Sequence, residues 1–257
     1  MNDRIKKILS WAGIVLLFLA LSYAYMYPVL EGKIVNQSDI SGWTGMTHEI
    51  VEHNKANPDD PTLWTNSMFG GMPSVTMYDD FDGDLTNPIY RFLLLGRRPA
   101  TYIFIALLGS LFLLLAAGCG KAVAVAGAIA MAFCSYNMQI IQVGHNTKMQ
   151  AIAFFPWVLA ALIYTYRSAE KEGKLRDWLP YVSLGAVLFA FALSFQIKAN
   201  HPQITWYLAA TVFIYAAGEL IYLLCKRERR RGLGRFFAAS ALLLVIGCAG
   251  IATNANK

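Results

Sequence analysis

Seven long, nearly uncharged apolar stretches dominate this chain and dictate the solvent it can fold in. They cover residues 8–27, 100–117, 122–138, 149–166, 178–195, 204–225 and 236–252, with Glu219 the one charge inside them. A run of about 18 or more such residues reads as a membrane span. Lipid offers no hydrogen bonds to a bare backbone, so each run must satisfy its own polar groups as a helix or join a closed barrel. Barrel strands alternate apolar with polar residues, and these runs do not. Composition agrees: only 15% of residues are charged, against roughly a quarter in soluble domains. The expectation is an all-α, polytopic transmembrane helix bundle of about seven spans, forming one transmembrane domain over residues 1–257. Pro156 interrupts the fourth run, and the third is rich in Gly and Ala, which suits close helix packing.

Lys and Arg set the orientation. With the N-terminus in the cytoplasm, the inner segments 1–7, 118–121, 167–177 and 226–235 hold 14 of the 22 basic residues. The net charge of +6 is therefore a topology signal, with some contact to anionic lipid head groups. Nucleic acid is excluded as a partner, because that would need a basic face carrying base-reading or stacking groups. Cys119, Cys134, Cys225 and Cys248 fall in spans or near their ends, which argues against a disulfide framework.

The one large polar segment, residues 30–99, then lies outside and is acidic, with ten Asp and Glu against five Lys and Arg. Trp43, Met46 and Ile50 recur at helical spacing, which predicts a short surface helix ended by Asn57–Pro61. WTNSMFGGMP at 64–73 reads as a loop, 78–84 as an acidic turn, and 88–95 as a second short helix leading into the next span. Asp80, Asp82 and Asp84 hint at calcium, but the closing Glu of a twelve-residue calcium loop is missing. No cofactor is expected, and no motif supports a divalent cation.

Polar residues that could carry chemistry gather at the outer ends of spans. Asp39 follows span one; it can cap a helix or act as a general base on an acceptor hydroxyl. GHNTK at 144–148 supplies His145, Asn146 and Lys148, and NHPQ at 200–203 supplies Asn200, His201 and Gln203. Donors and cations of this kind match phosphate or sugar oxygens, although Asn200 and Pro202 are also ordinary turn residues. A metal shared by Asp39, His145 and His201 lacks any zinc-type spacing.

YPVLEGK at 27–33, QSDI at 37–40, WTNSMFGGMP, GHNTK and NHPQ together resemble the YfhO family of bacterial membrane proteins, over nearly the whole chain. Members of that family are longer, so NANK at 254–257 looks like a further motif cut short, and the chain is expected to be truncated at its C-terminus. YfhO proteins are similar to the GT-C glycosyltransferases. The resemblance implies a polyprenyl-phosphate-linked sugar as donor, an envelope glycan or polymer as acceptor, and transfer on the outer face of the bacterial cytoplasmic membrane. It also implies that Asp39, the acidic residue of the first outer loop, is the base. His145, Asn146, Lys148, Asn200, His201 and Gln203 would bind substrate and phosphate, with Trp43, Trp64 and Phe69 lining a path for lipid or sugar. The rival is a non-catalytic scaffold or transporter for lipid-linked envelope precursors. A transporter would place polar groups near the bilayer midplane, whereas here they lie at one end of the spans.

Overall fold

The computed structural model describes residues 2–74, 86–94, 98–226, 229 and 232–255. In chain order these form α1 (Asp3–Tyr25), α2 (Ser38–Ala56), the strands β1 (Trp64–Thr65) and β2 (Met72–Pro73), then α3 (Asn87–Leu94) and α4 (Ala100–Ala116). The remainder is α5 (Lys121–Ala132), α6 (Ser135–Val143), α7 (Asn146–Ala169), α8 (Leu175–Lys198), α9 (Pro202–Cys225) and α10 (Leu233–Ala252).

Among the described residues, six helical stretches are long and apolar enough to cross a membrane: α1, the α5–α6 pair, α7, α8, α9 and α10. The second apolar run is also helical, as α4, but has only 17 residues. The third run is not one continuous helix. It breaks at Cys134, whose backbone is extended at ψ 148°. The buried Asn137 amide donates to the carbonyls of Met131 and Ala132, each at 3.1 Å. Those carbonyls end α5 and would otherwise be without partners, so the side chain stabilises the break.

The centre of the bundle is α7, with 72% of its apolar window buried against 11% for α1 and for α9. Pro156 lies inside this helix without ending it, as neighbouring helices allow in a membrane span. On one side of α7, Phe154 joins Phe18, Tyr102, Ile103 and Leu107 in a core shared with α1, α4 and α5. On the other, Val158 and Leu162 pack with Val182 of α8, Leu208 of α9 and Leu243 of α10. The helices run up and down, so 26–40, 143–148, 198–203 and 252–255 all meet one end. The opposite end is basic. There Arg167 donates to the Ala117 carbonyl at 2.9 Å, Arg229 pairs with Glu170 at 3.3 Å, and Lys121 lies 4.3 Å from the Trp11 ring centroid.

The polar loop folds onto the first of these ends. Its surface helix begins earlier than the Trp43 pattern suggested, at Ser38, so Asp39 sits in the first turn instead of ahead of the helix as its cap. Ile50 and Thr47 are buried, while Trp43 remains exposed. The WTNSMFGGMP segment contains a small antiparallel hairpin, pairing Trp64 with Pro73 and Thr65 with Met72. Glu49 of α2 holds it, accepting from Ser67 Oγ at 2.7 Å, the Asn66 N–H at 3.1 Å and Thr65 Oγ1 at 3.3 Å. Those bonds, with Ser67 contributing most, keep the Glu49 carboxyl below its ordinary pKa. The second short helix is present as α3. Asp80, Asp82 and Asp84 lie outside the described residues.

Candidate functional site

Two motifs distant in sequence dock on each other through a glycine. Gly144 closes α6 at φ +104°, a backbone conformation that glycine reaches without strain. A Cβ there would lie 2.8 Å from Gln37 Cβ and 3.4 Å from Asp39 Cβ. Gln37, 9% exposed, donates to the Ile141 carbonyl at 2.5 Å, and its amide pairs with that of Asn146 at 3.5 and 3.3 Å. Ser38 Oγ donates to the Val143 carbonyl at 3.4 Å. This docking brings Asp39 Oδ2 to 2.8 Å from His145 Nδ1, with both side chains about half exposed. Asn146 is thus engaged with Gln37. Gln37 stands in the sequence only as the first residue of the QSDI motif, because a lone Gln before a helix carries no periodic or spacing signal of its own.

The third motif contributes His201, which precedes α9. Burial, followed by electrostatic interaction with Lys148 and then with His145, holds its imidazole below the usual pKa. Its Nε2 is buried and has no hydrogen-bond partner among the described residues. Lys148 Nζ lies 5.3 Å from the Tyr136 ring centroid. Asn200 turns the chain at φ +52°, and with His201 and Trp206 it lines a hollow of about 340 Å³. Gln203 is engaged elsewhere, donating to Tyr207 Oη at 2.8 Å. Asp39 and His145 are therefore in contact, and His201 lies within electrostatic reach of His145 and Lys148; these four make up the cluster at this end of the bundle, while Gln203 is bound to its own helix. The N-termini of α2, α7 and α9 open towards this end, and their partial positive charge favours an anion. Among the described residues no group of three or more His, Cys, Asp or Glu is placed to hold a metal ion.

Within the bundle, α4, α7 and α8 line a groove of about 620 Å³ whose lining includes Phe112, Phe154, Trp157, Leu188, Phe191 and Phe195. From Phe154 to Tyr164 it follows ten residues of α7, about 15 Å at the helical rise. Near its Phe195 end the groove meets α3: the Tyr90 ring lies 6.1 Å from Phe154 and 5.8 Å from Phe195, and Lys198 Nζ lies 5.1 Å from the Tyr90 centroid. At the same end of the bundle Asn254 is buried and donates to the Ser194 carbonyl at 3.2 Å and Thr253 Oγ1 at 3.1 Å. These bonds fasten the end of α10 to α8. In the sequence Asn254 stands out only as the first residue of NANK.

These features define a multi-pass helical membrane protein with a carboxylate, imidazoles and a lysine assembled at one end of its bundle. No protein-family model, curated protein or solved structure matches the chain.

Proposed function

We propose that this chain belongs to a GT-C-like membrane glycosyltransferase of the YfhO kind, with its N-terminus in the cytoplasm and the Asp39 cluster outside. It transfers a sugar from a polyprenyl phosphate to an envelope glycan or polymer, with inversion at the anomeric carbon. The observation that carries the reading is the 2.8 Å contact between Asp39 and His145, with Lys148 and His201 close enough to act on each other electrostatically. The Asp39–His145 pair takes the proton of the acceptor hydroxyl. Lys148, His201 and the helix N-termini steady the departing phosphate, a charge-stabilising role fixed before reaction. The apolar groove suits the prenyl chain, with Lys198 near its mouth for the head group.

Transport is less well supported. Charged groups at membrane depth mark many transport pathways, but α7 has none between Lys148 and Arg167, and α8 has none between Asp177 and Lys198. The test is transfer by the protein in proteoliposomes supplied with radiolabelled polyprenyl-phosphate sugars and envelope glycan. Asp39→Asn should abolish transfer and leave thermal stability nearly unchanged, because Asn keeps the shape. Lys148→Ala should weaken use of the donor. Normal transfer by Asp39→Asn would remove the pair from the mechanism.

A further inference from the structure

We propose that the proton acceptor of this site is Nε2 of His145, and that Asp39 is a positioning residue that fixes the imidazole. The inference rests on the glycosyl-transfer reading and divides the work within its Asp39–His145 pair. The contact is made through Nδ1, 2.8 Å from Asp39 Oδ2. A carboxylate accepts but cannot donate, so the shared proton belongs to Nδ1, and a neutral ring then carries its lone pair on Nε2. The bonded carboxylate oxygen is correspondingly less free to accept a proton from substrate.

Both partners are held from behind. The His145 backbone N–H donates to the Ile140 carbonyl at 3.1 Å. Asp39 lies in the first turn of α2, next to the Gln37 anchor. Of the two imidazoles in the cluster, His145 is the one paired with a carboxylate that can steady an added proton. His201 Nε2 is buried without a partner among the described residues, beside Lys148 and His145, and suits a neutral group facing the phosphate.

In the step itself, the acceptor O–H bond breaks and its proton moves to His145 Nε2. The acceptor oxygen forms a bond to the anomeric carbon, and the bond from that carbon to the phosphate oxygen breaks. The electron pair leaves with the polyprenyl phosphate. The imidazolium is stabilised by Asp39, which stays ionised throughout, as in other carboxylate–imidazole pairs.

The chain has only four histidines, so nitrogen NMR of isotope-labelled histidine can resolve each ring, with His145→Asn assigning its signal. At alkaline pH the wild type should show His145 protonated on Nδ1 and bare on Nε2, and Asp39→Asn should lose that preference. In the proteoliposome assay His145→Asn, which keeps a donor near the Nδ1 position, should lose about a hundred- to ten-thousand-fold in rate. The double variant should be no worse than His145→Asn alone, because the pair acts as a unit. A wild-type ring protonated on Nε2, or near-normal transfer by His145→Asn, overturns the proposal. The NMR measurement needs no substrate, so it decides the assignment even if the wild type transfers no sugar, a result that would sink the glycosyl-transfer reading separately.

Discussion

Gly144 lies so close to Gln37 that a Cβ on it would approach Gln37 Cβ to 2.8 Å. This contact sets the docking of the first polar loop on the α6–α7 turn, and through it the position of Asp39 against His145. Gly144→Ala meets two penalties together, the contact itself and a side chain at φ +104°. We expect a loss of about 1–3 kcal/mol, read as a lower Tm in detergent, with the Asp39–His145 contact broken. An unchanged Tm would mean that the two motifs do not dock this way.

His201 predicts how stability responds to acid. Its pKa is below the ordinary imidazole value in the folded protein, so below about pH 6.5 the unfolded chain binds the proton more readily. The stability associated with the neutral ring is present above that pH and is lost as pH falls towards the depressed folded pKa. His201→Asn should flatten the Tm-against-pH curve in that window. The effect should be small, because the ring is partly exposed. A curve as steep as the wild type's would reject His201 as its source.

Orientation can be read by thiol labelling in a background without the four native cysteines. A cysteine at Asp59 should react with an impermeant reagent in intact cells, and one at Arg229 should be shielded. The reverse pattern would place the Asp39 cluster on the cytoplasmic side and end the outer-face proposal.

Asn254 should matter for stability although it lies outside the cluster. Its amide donates to the Ser194 carbonyl and to Thr253 Oγ1, and Thr253 and Ser194 hydroxyls lie 2.7 Å apart. Asn254→Ala removes the donor that links the end of α10 to α8, at a cost of about 0.5–1.5 kcal/mol. Thermal unfolding of the variant measures it, and a neutral result would show that α10 is not fastened to α8 here.

The sequence alone determined that this is a bundle of apolar helices, and it set which polar motifs share an end. Both follow from local terms: a long uncharged run must be helical in lipid, and successive helices joined by short turns run antiparallel. That connectivity was enough to bring 37–40, 144–148 and 200–203 to one end of the bundle. It could not say which side chains would touch. Gln37 and Asn146, the break at Cys134 with its Asn137 bonds, and the diversion of Gln203 to Tyr207 are partner choices. The apolar groove likewise depends on how α4, α7 and α8 pack. Only the tertiary structure decided these, because a side-chain hydrogen bond or a helix gap depends on geometry between segments, and residue spacing along the chain does not encode it. Asp39 marks the division. Its sequence position allowed a helix cap or a base, and the folded chain put its carboxylate on His145.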